Sequence, residues 1–193
     1  MSVRQQIPYD CGTFFITITN IRWLKLFELI PAYDVVYEMF NYLSSKGHFV
    51  NAYVIMPNHL HAIFSFRRSD QSINTLIGNC KRFMALKIIS KLKTRGDKAM
   101  LSELQSPVQD KERAKGQKHK VFQPSFDWKL CESEWFIEQK LNYIHNNPTA
   151  KSEPLCLRAI DFKHSSARQY ARLKNYKYEV KLVYEMQDIN LEK

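Results

Sequence analysis

The sequence lacks the features that mark membrane and secreted proteins. No stretch approaches the roughly 18 uninterrupted apolar residues that a membrane-spanning helix requires, and the opening residues, MSVRQQ, are too polar for a signal peptide. We therefore expect a cytoplasmic protein. No internal repeat divides the chain, and its 193 residues suit one domain of ordinary size.

Cysteine is scarce and scattered. The four cysteines are Cys11, Cys80, Cys131 and Cys156, and no two of them form a C-x-x-C pair. This spacing indicates neither a zinc ribbon nor a dense disulfide framework. We expect four reduced thiols that take no part in function.

Acidic residues are too few to balance the basic ones. Asp and Glu number 19 against 29 Lys and Arg, which leaves a formal net charge of +10. A polyanion is the natural partner of such a chain, and nucleic acid is the first candidate. Charge alone does not decide the point, because many basic proteins bind no nucleic acid.

The sequence does contain enough apolar residues, 45%, to form a core. These residues recur at the spacings typical of strands and helices. Residues 14–20 (FFITITN) alternate as a strand does, and residues 49–56 and 59–66 predict two more strands, joined by a turn at Pro57 and Asn58. Residues 31–47 and 72–93 repeat apolar side chains at helical spacing. The first half therefore predicts strand, helix, hairpin and helix.

The second half is less regular. Residues 94–120 are polar and charged and predict a mobile basic connector with little regular structure apart from a short helical turn near Met100. A fourth strand is expected within residues 121–131, then a helix from Ser133 to Asn147. Within a C-terminal extension from about residue 150, residues 178–184 could add an edge strand.

This order of elements, βαββαβ with a terminal helix, predicts an α+β, ferredoxin-like fold. In that fold the helices cover one face of an antiparallel sheet and leave the other face available. We expect residues 1–193 to form a single domain of this kind.

Two histidines stand out in the third predicted strand. His59 and His61 are two residues apart, so their side chains project from the same face of the strand. Neutral imidazoles so placed can both reach one divalent ion and leave positions open for a phosphate oxygen. An H-x-H pair also occurs in many strands as ordinary half-buried polar residues, and no other histidine shows ligand spacing.

A second candidate lies near the end of the last predicted helix. Tyr143 and Asn147 in LNYIHNNP are four residues apart and share a helix face. A tyrosine oxygen that attacks a phosphodiester forms a covalent phosphotyrosine and conserves the bond energy for rejoining. The pattern alone equally allows Tyr143 to be a packing residue ahead of the helix stop at Pro148.

The predicted helix over residues 72–93 carries a basic surface. Lys81, Arg82 and Lys87 lie away from its apolar positions. We expect these three side chains to contact the DNA backbone.

The histidine and tyrosine motifs together resemble those of the REP-associated tyrosine transposases. The resemblance rests on YVIMPNHLHAIF at residues 53–64 and YIHNNP at residues 143–148. Four other segments also agree with that family: FFITITN, CKRF at residues 80–83, EQKLNYIHNNPTA and HSSARQY. The matching segments are therefore distributed over most of the chain from Phe14 to Tyr170.

This resemblance implies a site and a chemistry. His59, Leu60 and His61 would be the histidine triplet that names the HUH class, with Mg²⁺ or Mn²⁺ as metal, Tyr143 as nucleophile and single-stranded or hairpin DNA with short palindromic repeats as substrate. In related insertion-sequence transposases a glutamine one helical turn beyond the tyrosine completes the metal site, and here Asn147 stands at that position. Phe122 and Gln123 stand where many relatives carry a Trp-Gln pair, in a substrate-facing or a core role.

The resulting hypothesis is a metal-dependent single-strand DNA endonuclease and strand transferase with a covalent 5′-phosphotyrosine intermediate. One alternative is a non-catalytic single-stranded nucleic-acid-binding module of RRM-like topology, with Phe14, Phe15 or Tyr53 stacking on bases. Another is a metal-dependent phosphodiesterase that uses water as its nucleophile. The sequence leaves open the DNA sequence recognised, a monomer or homodimer, and a transposing or domesticated role.

Overall fold

The fold is built on one four-stranded antiparallel sheet, seen in a computed structural model that describes residues 6–150 and 154–193. The strands are β1 (Gly12–Thr19), β2 (Phe49–Met56), β3 (His59–Phe66) and β4 (Asp127–Leu130). Their order in the sheet is β2-β3-β1-β4, which confirms the ferredoxin-like prediction. Residues 1–5, which hold most of the polar start, and residues 151–153 of the predicted extension lie outside the described residues.

Seven α-helices accompany the sheet in the described part of the chain. They are α1 (Leu26–Leu29), α2 (Tyr33–Ser45), α3 (Ile73–Thr94), α4 (Lys98–Gln105), α5 (Asp110–Arg113), α6 (Glu134–Asn146) and α7 (Ala167–Tyr170). Short 3-10 turns occur at Ile21–Trp23, Ala159–Asp161 and Val183–Met186. None of the helices described is long and apolar enough to cross a bilayer.

The two long helices that carry the sequence motifs begin at serine caps. The Ser72 side chain accepts a hydrogen bond from the Thr75 backbone N–H at the start of α3, and the Ser133 side chain accepts one from Phe136 at the start of α6. Each cap satisfies one of the donors that the first helical turn leaves without a partner. The predicted helix starts are therefore confirmed within a residue.

The alternation of side chains along the strands produces two separate cores. Phe14, Ile16 and Ile18 of β1 pack with α2 and α3 on the first face of the sheet. The second face holds a smaller cluster of Phe15, Ala52, Val54, Met56, Ile63, Cys131 and Ile144. Each fully buried large apolar side chain contributes about 1.5–3 kcal/mol. The helix α6 thus lies on the face that the fold pattern alone leaves available.

The segment 94–120 is more regular than predicted, because the helical turn expected near Met100 is the two-turn helix α4 and a second short helix, α5, follows it. The Asp97 side chain caps α4 by accepting from the Met100 backbone N–H, and Leu104 is completely buried. Lys120 then pairs with Glu112 at 2.8 Å. A few buried apolar side chains, Leu104 and Val108 among them, and the Lys120–Glu112 ion pair stabilise a segment whose composition is that of a loop.

The predicted edge strand at residues 178–184 is also wrong. The Lys181 backbone N–H donates to the Val50 carbonyl at 3.0 Å, but the next residue, Leu182, donates to the Glu185 carboxylate and the chain turns. The edge of β2 is met instead by residues 164–166, where Ile55 donates to the His164 carbonyl and Ser166 donates to that of Tyr53.

His164 predicts an acid-sensitive stability. Its ring stacks on Tyr33 with centroids 3.5 Å apart and contacts the Tyr37 hydroxyl at 3.0 Å. Burial, with Lys177 and Lys163 nearby, lowers the pKa of His164 to about 4. Because the unfolded chain binds a proton below its ordinary pKa of about 6.5 and the folded chain does not, the free energy of unfolding falls as the pH is lowered from 6.5 towards 4.

The test compares urea unfolding of the wild type and His164→Gln at pH 7.5 and pH 4.5. After discounting for partial exposure, we expect the wild type to lose roughly 1 kcal/mol more than the variant over this range. An equal loss in both proteins would show that His164 does not titrate in the folded state as described.

Candidate active site

The two sequence motifs meet on the second face of the sheet. His59 and His61 begin β3, and their ring centroids are 4.5 Å apart. Tyr143 reaches them from α6, with its hydroxyl 3.3 Å from His61 Nε2. The two histidines are almost completely buried, whereas Tyr143 is 48% exposed. A substrate can therefore reach the phenol while the imidazoles stay fixed beneath it.

Neighbouring side chains orient both imidazoles. His59 Nδ1 lies 2.7 Å from the Asn58 side-chain oxygen, and His61 Nδ1 lies 2.8 Å from the hydroxyl of Thr17, the residue directly opposite it on β1. An amide oxygen can only accept, so His59 Nδ1 carries the proton when the ring is neutral. With the proton of His61 likewise on Nδ1, the lone pair of the ring is on Nε2, which faces the Tyr143 hydroxyl.

Asn147 follows α6 immediately, one helical turn beyond Tyr143. Its side-chain oxygen is buried and accepts no hydrogen bond from the described residues. Burying such an oxygen without a partner is unfavourable, and a cation would satisfy it. Two imidazoles and an amide oxygen fit a divalent ion such as Mn²⁺ or Mg²⁺. No cluster of three or more His, Cys, Asp or Glu suited to a metal occurs in the described residues.

Lys140 and Phe15 extend the site on its α6 side. The Phe15 ring stacks on His61 at 5.4 Å and meets Tyr143 edge-on at 5.9 Å. The Lys140 ammonium lies over the rings of Phe15, Phe136 and Tyr143, 5.1, 4.9 and 5.8 Å from their centroids. Sequence reasoning missed Lys140, although its position three residues before Tyr143 places both on one helix face.

Trp23 borders the site on the other side. Its ring meets His59 edge-on at 5.5 Å and is 56% exposed. The turn that presents it is strained, because Arg22 and Trp23 have φ values of 50° and 58°, in the left-handed region that bulky residues rarely adopt. No periodicity in the sequence signals this turn, so sequence reasoning missed Trp23.

Arg82 is the predicted DNA-binding residue that faces an open basic surface. It lines a cleft of about 640 Å³ between α3 and residues 115–119. The basic lining also includes Lys93, Lys115, Lys118 and His119. This basic cleft lies with α3 on the first face, so the structure does not bring Arg82 together with the histidine pair.

The other two predicted DNA contacts have protein partners. The Lys81 ammonium donates to the carbonyls of residues 123–125, at 2.8, 3.3 and 3.0 Å, and so holds the turn that leads into β4. The Lys87 ammonium lies 3.6 Å from a Glu38 carboxylate oxygen. Both therefore contribute to the fold in addition to any contact with DNA.

The HSSARQY segment fixes α6 on the sheet. The Ser166 hydroxyl accepts from the Tyr53 backbone N–H at 3.0 Å and contacts His145 Nε2, also at 3.0 Å. Burial lowers the pKa of His145 to about 4, so its ring is neutral near pH 7. His145 and His164 therefore have structural roles.

The aromatic residues that an RRM-like module would use are buried. Phe14 and Tyr53 are completely inaccessible on the first face, and Phe15 lies beneath α6. Phe122 packs near Phe27 and is buried, which gives it a core role rather than a substrate-facing one. The sheet of this protein therefore presents none of these rings as a stacking platform.

Comparison with known proteins matches no family model and no curated protein. Among solved structures, the chain is similar to a REP-associated tyrosine transposase bound to a REP hairpin, at 18% identity and a TM-score of 0.63, over 100% of this chain and 98% of that one. A transposase candidate from Deinococcus radiodurans gives 16% identity and a TM-score of 0.44, over 76% and 97% of the two chains. The full-length likeness shows that this protein has the fold of a REP-associated tyrosine transposase.

Proposed function

We propose that this protein is a transposase that cuts and joins single-stranded DNA, in hairpins or palindromic repeats, through a covalent bond to Tyr143. One observation carries the proposal: the Tyr143 hydroxyl lies 3.3 Å from Nε2 of His61, beside His59. A buried imidazole pair beneath an exposed phenol suits attack on a phosphodiester. The fold shared with a transposase bound to a REP hairpin supports DNA as the substrate.

The chemistry assigned to Tyr143 conserves the phosphodiester bond. Its oxygen forms a bond to the phosphorus as the bond from phosphorus to the 3′ oxygen breaks. The proton lost by the phenol balances the proton gained by the released 3′ oxygen. The products are a 5′-phosphotyrosine and a free 3′ hydroxyl, and a later 3′ hydroxyl reverses the step to join strands.

His59, His61 and Asn147 would hold the divalent ion that the proposal requires. A bound ion of this kind neutralises charge on the phosphate oxygens. The single lone pair of His61 Nε2 cannot accept from Tyr143 and bind a metal at once. Metal binding at His61 Nε2 would therefore require the Tyr143 hydroxyl to release that nitrogen.

Tyr143→Phe should abolish the covalent adduct while DNA binding is retained, because the change removes only the attacking oxygen. The substrate is a pool of hairpin oligonucleotides with randomised single-stranded flanks, incubated with Mn²⁺. Protein-linked DNA that survives denaturation is measured on a gel. Cleavage that continues in Tyr143→Phe would instead indicate a phosphodiesterase that uses water.

Arg82→Ala should weaken DNA binding across sequences and reduce the salt dependence of the binding constant by about one unit of slope, as expected for one lost phosphate contact. Fluorescence anisotropy at several salt concentrations measures both quantities. Lys87→Ala is the matched comparison on the same helix. We expect a smaller change there, because Glu38 already neutralises part of the charge of Lys87.

An unchanged salt dependence in Arg82→Ala would place the backbone-binding surface outside the basic cleft. Lys81→Ala is a poor test of DNA contact, since it removes the donor that holds residues 123–125. Its thermal midpoint should fall in the absence of DNA.

Trp23→Ala should lower the affinity for an unpaired oligonucleotide about tenfold, because stacking on one base contributes roughly 1–3 kcal/mol. Measurement at high salt suppresses the phosphate contacts and isolates this effect. Trp135→Ala is the matched control, since Trp135 is also exposed (69%) but lies in the first turn of α6, two turns before Tyr143. Equal losses in the two variants would contradict a stacking role specific to Trp23.

A further inference from the structure

The Lys140 side chain occupies an unusual place beside the tyrosine. Three aromatic rings, of Phe15, Phe136 and Tyr143, surround its ammonium at centroid distances of 4.9–5.8 Å. Ring faces attract a cation and tend to hold it in one place. Lys140 lies on the same α6 face as Tyr143, three residues earlier, so the position of its charge is coupled to that of the nucleophile.

The described residues place no carboxylate within 4.0 Å of the Lys140 ammonium, whereas four other lysines have such partners. These four lie outside the site: Lys87, Lys91, Lys120 and Lys181. Ring faces supply no negative charge that neutralises an ammonium. The charge of Lys140 is therefore left for an anion that arrives at Tyr143.

We propose that Lys140 binds a non-bridging oxygen of the phosphate that Tyr143 attacks, which makes it a substrate-binding residue of the active site. The inference rests on the proposed function and goes beyond it by assigning a second positive charge, separate from the metal, to the same phosphate. Phe15 contributes by holding Lys140 on one side and His61 on the other.

The physical reason is the set of ring faces against the half-buried Lys140 side chain. Charge-assisted hydrogen bonds to phosphate oxygens are stronger where water is displaced, and a phosphate bound beside these rings would displace water from the ammonium. As Tyr143 forms its bond to phosphorus, negative charge on the non-bridging oxygens has to be balanced. A lysine already in place balances it without reorganisation.

The experiment measures coupling between Lys140 and the charge of one phosphate. The cleavage position in a hairpin oligonucleotide is first mapped from the wild-type adduct, and that phosphate is then replaced by a neutral methylphosphonate. Binding is measured in the Tyr143→Phe background, with and without Lys140→Met, which keeps an apolar stem of similar length. We expect the methylphosphonate to weaken binding about tenfold when Lys140 is present and to have little effect in Lys140→Met.

Controls separate charge from structure. Lys46 also lies over an aromatic ring, that of Tyr42 at 5.8 Å, but it follows α2 near the start of β2, at the end of the sheet away from His59. Lys46→Met should leave the full methylphosphonate effect. Lys140→Arg, which keeps the charge, should restore most of it.

The outcomes distinguish this inference from the proposed function. If the wild type forms no covalent adduct, the proposed function is contradicted. If the adduct forms and the methylphosphonate weakens binding equally in the presence and absence of Lys140, Lys140 does not bind that phosphate and this inference is overturned. If Lys140→Met has a lower thermal midpoint but Lys140→Arg restores the coupling, the charge rather than the packing is responsible.

Discussion

The packing of α6 against the second face of the sheet is the contact on which the candidate site depends. Ile144 is completely buried among Phe15, Val54 and Ile63, and His145 is fixed by the Ser166 hydroxyl. Successive helical residues point about 100° apart, so burying Ile144 leaves the preceding Tyr143 at the rim beside His61. The residues that fix Tyr143 are thus its immediate neighbours in sequence.

The histidine pair depends on a different constraint, the antiparallel pairing of β3 with β1. That register places Thr17 opposite His61, where its hydroxyl contacts Nδ1, and the strand geometry sets the two imidazoles side by side. A shift of the pairing by one residue would turn both rings into the first core. Phe14, Ile16 and Ile18, packed in that core, therefore stabilise the register that the site requires.

These two constraints explain how much the sequence could predict. Strand alternation, helical periodicity and the caps at Ser72 and Ser133 are local patterns. The main elements and the shared face of the two histidines can therefore be predicted from the sequence. Of α4 the sequence indicates only a short turn near Met100, because the single buried residue of this helix, Leu104, gives no periodic pattern. Lys81 has the composition of a surface residue, but its carbonyl partners lie more than forty positions away. Such contacts exist only once the chain has folded.

If the protein acts on DNA as proposed, the location of the charges also limits the shape of DNA that would suit it. The basic cleft lined by Arg82 lies with α3 on one side of the sheet, and Tyr143 lies with α6 on the other, so packed layers about 10 Å thick separate them. A short single strand bound at Tyr143 would not reach the cleft. A longer strand or hairpin that passes the turn at residues 123–125, held to α3 by Lys81, would contact both. The excess of basic residues thus suits a substrate that extends around the domain rather than one confined to a single pocket.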